Sequence, residues 1–149
     1  MNKWFVMMCA LGLSTPTYAF SCYLTVVKSS CWKNYNVTVI LQDPTNKDKE
    51  VTSVLIPANR MWAREKFECQ PGQKLKFKAK FNPVFWEGDE GKVYMGKKYW
   101  ELPKEVKKKE LAWNISLCYP QQFAEVPLPP EAGGNCTCNM KEVPLIPPQ

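Results

Sequence analysis

The sequence predicts an all-β fold, an antiparallel β-sandwich of about seven strands that is stabilised by disulfides and followed by a proline-rich C-terminal tail. Three observations predict it. Between Cys22 and Cys118, most stretches alternate apolar and polar residues with a period of two, as half-buried strands do. Turn-forming residues separate these stretches. Six cysteines follow residue 19, which is a number typical of a disulfide framework.

The clearest strand is expected at QKLKFKAKF, residues 73–81. Its lysines take one face, and the residues of the other face are apolar: Leu75, Phe77, Ala79 and Phe81. Such a stretch has one buried face and one solvent-exposed face. The stretches YNVTVILQ (35–42) and ELAWNISLC (110–118) alternate in the same way and are also predicted to be strands.

Four stretches with weaker alternation complete the predicted sandwich. In chain order they are CYLTVV (22–27), VTSVLI (51–56), MWAREKFEC (61–69) and KKYWEL (97–102). The turn signals DPTNKDKE, PAN and QPGQ lie between strands. Seven short strands over about a hundred residues match the size of an immunoglobulin-like sandwich, and a small barrel is the alternative. We find no internal repeat.

Residues 1–19 have the composition of a cleaved signal peptide. Lys3 precedes an apolar run of about ten residues, which is well short of the roughly twenty that a membrane helix needs. A polar stretch then ends in the small residues Thr17 and Ala19, so cleavage is expected after Ala19. The mature protein is therefore expected to be secreted or periplasmic, with no transmembrane segment.

Two units should follow the signal peptide, a β-sandwich domain at 20–119 and a tail at 120–149 that packs on it. The tail is rich in proline, which cannot donate ladder hydrogen bonds and favours extended chain. Two of the six cysteines lie in this tail, which suggests that disulfides hold it against the domain.

The even number of cysteines predicts three disulfides, formed by Cys22, Cys31, Cys69, Cys118, Cys136 and Cys138. Cys118 is expected to face away from the core, so we favour its pairing with one of the two tail cysteines. A lipid anchor on Cys22 is the alternative use of that residue, but the bulky Phe20 stands where a bacterial lipobox usually has a small residue. No metal site is predicted, because the chain has no histidine and a single Cys-x-Cys pair.

The candidate binding residues fall into two groups. The first is an irregular loop, residues 81–100, which is unusually rich in aromatic rings: Phe85, Trp86, Tyr94, Tyr99 and Trp100. Exposed rings of this kind anchor protein contacts, although the same rings could instead cover one end of the sandwich. The second is the row of lysines on the solvent-exposed face of the strand at 73–81: Lys74, Lys76, Lys78 and Lys80. This row could meet an anionic partner, although a purely solvated face has the same pattern.

These features predict a non-catalytic binding module that contacts another protein, or an anionic surface such as a glycan or the cell envelope, through the aromatic loop and the lysines. The absence of histidine removes the Ser-His and Cys-His nucleophile arrangements, and no cofactor motif is present, so we expect neither enzyme activity nor a cofactor. A nucleic-acid partner is not expected, because the net charge of +6 is mild. The alternatives are a structural or accessory envelope component and a small secreted inhibitor or effector.

Overall fold

The structure is a computed structural model that describes Gly12 and residues 19–146. Apart from Gly12 and Ala19, the predicted signal peptide at 1–19 lies outside the described residues, as do the last three residues of the predicted tail.

The described chain is all-β, as predicted. Its strands are β1 (Phe20–Lys28), β2 (Asn36–Asp43), β3 (Lys49–Ile56), β4 (Trp62–Cys69), β5 (Lys74–Asn82), β6 (Tyr94–Met95), β7 (Trp100–Glu101) and β8 (Ala112–Tyr119). Two short 3-10 turns accompany them, at Ser30–Trp32 and Met140–Glu142. Each of the seven predicted strands overlaps one of these elements, and β6 is an additional strand inside the predicted loop. Within residues 19–146, no helix has the length and apolar character needed to cross a membrane.

The strands form two sheets. One has the order β4-β1-β8, and the other has the order β3-β2-β5-β6 with β7 also paired to β5. One pairing departs from the expected antiparallel arrangement, because β1 and β8 run parallel, with Cys22 opposite Trp113. Parallel neighbours cannot be joined by a tight turn. All the other strands lie between β1 and β8 in the chain and form the connection between them. The alternation within single stretches therefore could not reveal this parallel pair.

Apolar positions of the alternating strands meet between the two sheets. The side chains of Leu75, Phe77, Ala79 and Phe81 are all buried there, as the alternation of β5 predicted. Strand β1 differs, because both of its faces are buried: Leu24 belongs to the core between the sheets, while Thr25 on the opposite face is also fully buried. Burial on both faces explains why this strand shows no clear alternation in the sequence.

Three disulfides hold the fold together, as predicted. Cys22 is bonded to Cys69 and joins β1 to β4, so its sulfur is not free for a lipid. The other two bonds attach the tail: Cys31–Cys136 holds it to the first 3-10 turn, and Cys118–Cys138 holds it to the end of β8. The expected pairing of Cys118 with a tail cysteine is therefore confirmed.

One lysine is fully buried at the end of β1. The Lys28 ammonium donates hydrogen bonds to the backbone carbonyls of Tyr35 (2.7 Å), Pro57 (3.0 Å) and Lys33 (3.4 Å). Each of its three protons thus has an acceptor, and the amine holds together the two loops that follow β1 and β3. Burial penalises the charged form and lowers the pKa of Lys28 to about 8.

The lowered pKa of Lys28 predicts how stability depends on pH. Between pH 8 and about 10 the unfolded chain binds more protons at this group than the folded chain does, so the free energy of unfolding should rise by about 2 kcal/mol. Above that range the trend should reverse, because burial and the hydrogen bond to Glu131 raise the pKa of Tyr35 to about 12. Urea denaturation at a series of pH values measures the effect. The rise should vanish in Lys28→Met and persist in Lys33→Met, which changes an exposed lysine; its persistence in Lys28→Met would contradict the assignment.

Candidate functional site

The aromatic loop returns to the sheet from which it leaves. Strand β5 ends at Asn82, and the chain comes back as β6, with Tyr94 opposite Ala79, and as β7, with Trp100 opposite Leu75. Between them the Gly96 amide donates to the Phe77 carbonyl at 2.7 Å. A β-carbon at position 96 would overlap the Phe77 ring, so the close approach requires glycine.

The structure divides the five predicted aromatic residues into buried and exposed ones. Tyr94 is buried, and its ring stacks on Phe81 at 5.7 Å between centroids. Phe85 and Trp100 are half-buried and pack against the core. Trp86 and Tyr99 are 57% and 55% exposed. Tyr94 therefore covers the core, which is the alternative role considered for these rings. The rings of Trp86 and Tyr99 remain accessible to a partner.

The two exposed rings lie at different ends of β5. Trp86 contacts Phe85, which packs on Phe81 near the end of the strand. Tyr99 precedes Trp100, which pairs with Leu75 near its start. Six residues of extended strand separate those two points, a span of about 20 Å. The loop therefore does not gather its exposed rings into one patch.

Tyr99 instead adjoins the predicted lysine row. The Lys74 ammonium lies 4.6 Å from the centre of the Tyr99 ring, a cation–π contact. Farther along the same face of β5, Lys78 lies between Ile40 of β2 and Met95 of β6, while Lys80 lies beside Thr38. Lys78 thus has a strand on both sides and lies within the outer sheet face and not at its edge.

A shallow groove of about 290 Å³ opens beside this face. It is lined by Lys76, Phe77, Met95, Gly96, Lys97, Lys98 and Tyr99. We call the lysines of the row and the groove, Lys74, Lys76, Lys78, Lys80, Lys97 and Lys98, together with Tyr99, the lysine face. In the described part of the chain, the one carboxylate paired with a lysine of this face is that of Asp48, 2.8 Å from Lys76.

Lys97 and Lys98 belong to the predicted strand at 97–102 and are not among the candidate binding residues of the sequence. In the structure both side chains are exposed, and the Lys97 amide donates to the Gln122 carbonyl at 2.9 Å. This bond fixes the segment between β6 and β7 beside the lysine row. The sequence does show two adjacent lysines followed by two aromatic residues, which could have marked them as candidates. Their position beside β5, however, depends on how the loop folds back.

The lysine face and the groove beside it present several kinds of contact group. Primary ammonium groups, one phenol ring and the thioether of Met95 can supply charge, hydrogen-bond donors and apolar contact. All six cysteines that follow residue 19 are in disulfides. Among the described residues, no group of three or more Cys, Asp or Glu side chains is arranged to hold a metal ion.

A scan against models of known protein families finds no match, and a search of curated protein sequences finds no significant relative.

The burial of the loop residues makes a matched pair of substitutions informative. Tyr94→Ala should lower the free energy of unfolding by about 3 kcal/mol, because it removes a buried ring. Trp86→Ala should change it by less than about 0.5 kcal/mol, because that ring is mostly exposed. Urea denaturation followed by circular dichroism measures both. Equal losses would mean that Trp86 belongs to the core.

Proposed function

We propose that the protein is an exported, disulfide-stabilised binding module without catalytic activity, and that its lysine face contacts an acidic partner protein. The observation that carries the proposal is the placement of six lysines along β5 and the segment after β6. Four of them lie beside one exposed tyrosine: Lys74, Lys76, Lys97 and Lys98. Like charges placed this close repel one another. An acidic partner would relieve that repulsion.

The apolar groups within the face favour a protein partner. Met95 and Tyr99 are 41% and 55% exposed, and Ile40 is half-buried in the neighbouring strand. Aromatic and methionine side chains are enriched where proteins meet, and the surrounding charges would steer and orient the partner. The cation–π contact with Lys74 limits the freedom of the Tyr99 ring, so less side-chain entropy would be lost on binding.

Export and the absence of catalysis are supported by the cysteine chemistry. Three disulfides are typical of proteins that work in an oxidising compartment, and residues 1–19 have the composition of a signal peptide. No thiol of the six cysteines is left for nucleophilic chemistry, and the sequence has no histidine.

The proposal predicts charge-dependent binding of an acidic polypeptide. A fluorescent glutamate-rich peptide should bind, with affinity that falls steeply as salt is added, because exposed charges are screened over about 10 Å at 0.1 M salt. The double variant Lys78→Glu/Lys98→Glu should weaken binding by about tenfold or more, whereas Lys107→Glu/Lys108→Glu makes the same charge change off the face and should have a much smaller effect. Fluorescence anisotropy measures both.

The contribution of the Tyr99 ring to peptide binding can be tested with Trp86, the other exposed ring of the loop, as a control. Tyr99→Ala should weaken binding of the same peptide, because its ring contacts Lys74 of the face. Trp86→Ala should not, because that ring contacts Phe85 near the other end of β5 and contacts no lysine of the face in the described part of the chain. Equal effects of the two lysine pairs would show that net charge alone drives binding and would overturn the proposed face. Binding to vesicles containing anionic lipid, without binding to the acidic peptide, would assign the face to a membrane surface instead.

A further inference from the structure

The outer face of the three-stranded sheet contains an arginine that holds the end of the tail. Arg64 of β4 donates from Nη2 to the Pro144 carbonyl at 2.7 Å and from Nη1 to the Leu145 carbonyl at 3.2 Å. Its two guanidinium arms thus bind two consecutive backbone carbonyls of an extended segment. Proline suits such a contact, because it has no backbone N–H that would need a partner.

Contacts other than those with the tail also orient the guanidinium. Arg64 Nε donates to the Thr25 hydroxyl oxygen at 2.8 Å, and that hydroxyl donates to the Asn114 side-chain oxygen at 2.7 Å. Thr25 is fully buried. The arginine also lies over the Trp62 ring, with the guanidinium carbon 5.5 Å from the ring centroid. Three strands therefore fix the orientation of this one side chain.

A groove of about 840 Å³ opens beside Arg64. Its cationic residues are Arg60, Arg64 and Lys66, and the aromatic rings of Trp62 and Tyr23 also line it. The one carboxylate among its lining residues is that of Glu142, which comes from the tail. The groove is thus positively charged apart from the tail's own contribution. Most of its strand residues come from β4 of the three-stranded sheet, and Leu55 of β3 contributes from the other sheet. None of the seven residues of the lysine face lines it.

The tail segment at this groove occurs twice in the chain. Glu142-Val143-Pro144-Leu145 repeats the sequence of residues 125–128, so the expectation of no internal repeat is wrong for this short motif. The docked copy is held loosely, since Leu145 is 93% exposed and Glu142 and Pro144 are exposed as well.

We propose that the Arg64 groove is a binding site for an extended peptide segment of a partner protein that carries an acidic residue two positions before a proline. The chain's own Glu142–Leu145 segment is its resident occupant. In this resident copy the carbonyls of Pro144 and Leu145 accept from the guanidinium, and Glu142 lines the groove together with Arg60, Arg64 and Lys66. In a partner segment we expect the acidic side chain to meet these cations and the apolar residues to meet Trp62 and Tyr23. Aromatic grooves that receive extended proline-containing chain are a recurring mode of peptide recognition.

The resident tail sets the affinity that a partner must reach. The Cys118–Cys138 disulfide fixes the chain only four residues before Glu142, so the tail competes at a high effective concentration. A partner segment can bind only while the tail is released. Its apparent affinity is therefore the intrinsic affinity multiplied by the fraction of molecules in which the tail is undocked. Any change that releases the tail should strengthen binding of a segment supplied in trans.

This dependence can be tested on the full chain with a synthetic peptide of residues 139–149. Titration should shift the Trp62 indole and Arg64 Nε–H signals in ¹⁵N-edited NMR spectra in a saturable way. Glu142→Lys in the protein places a positive charge among Arg60, Arg64 and Lys66 and should strengthen peptide binding severalfold. Glu125→Lys makes the same change in the other copy of the motif and should leave the affinity as in the unsubstituted protein.

Substitution of the arginine tests the guanidinium directly. Arg64→Lys retains the positive charge but not the two-armed donor, and it should abolish most of the binding, as should Arg64→Ala. The remaining resonances of each variant show whether the fold is intact. A peptide of residues 124–131, which carries the other copy of the motif, should also bind, whereas a peptide of the same composition in scrambled order should not.

Three results would overturn the proposal. The first is the absence of saturable shifts in the Glu142→Lys protein at millimolar peptide. The second is equal binding of the scrambled peptide, which would show simple charge attraction. The third is a concentration-dependent dimer in sedimentation velocity that disappears in Arg64→Lys, which would show that tails exchange between copies of this chain. These results are distinguishable from a failure of the lysine face, because Arg64 and Glu142 are not among the residues of that face.

Discussion

The packing of rings around Trp32 is the constraint on which most of the structure depends. Trp32 is fully buried in the first 3-10 turn, and its ring contacts those of Tyr35, Phe81, Phe85 and Tyr119. These rings come from both sheets and from the loop after β5, and most meet edge to face, which favours their quadrupoles. The cluster thereby closes one end of the sandwich and determines where the loop leaves it and where the tail begins.

The polar groups at the same end are arranged around that cluster. The Lys28 ammonium binds the carbonyls of Lys33 and Tyr35, which ties the end of β1 to the chain just after the turn that carries Trp32. The Tyr35 hydroxyl donates to the Glu131 carboxylate at 2.6 Å, so the ring cluster also holds the tail. With the two disulfides of the tail, this bond makes the C-terminal segment part of the domain's surface.

Holding the tail against the domain gives the two sheets different surfaces. The outer face of the three-stranded sheet is occupied at Arg64 by the chain itself, so access there would depend on competition. The lysine face has no such occupant among the described residues. Lys78 and Arg64 lie on different sheets, and the lysine face shares no residue with the lining of the Arg64 groove.

The sequence by itself determined the fold class, the strands and the disulfide chemistry, because alternation and cysteine number are local or countable properties. It also located the lysine row, since the period of two places Lys74 and Lys78 on one solvent-exposed face. Only the tertiary structure decided that β1 runs parallel to β8, that Tyr94 is buried while Tyr99 is exposed, and that Arg64 meets the tail. Each of these depends on residues far apart in the chain, and no local pattern specifies which distant segments will pack together.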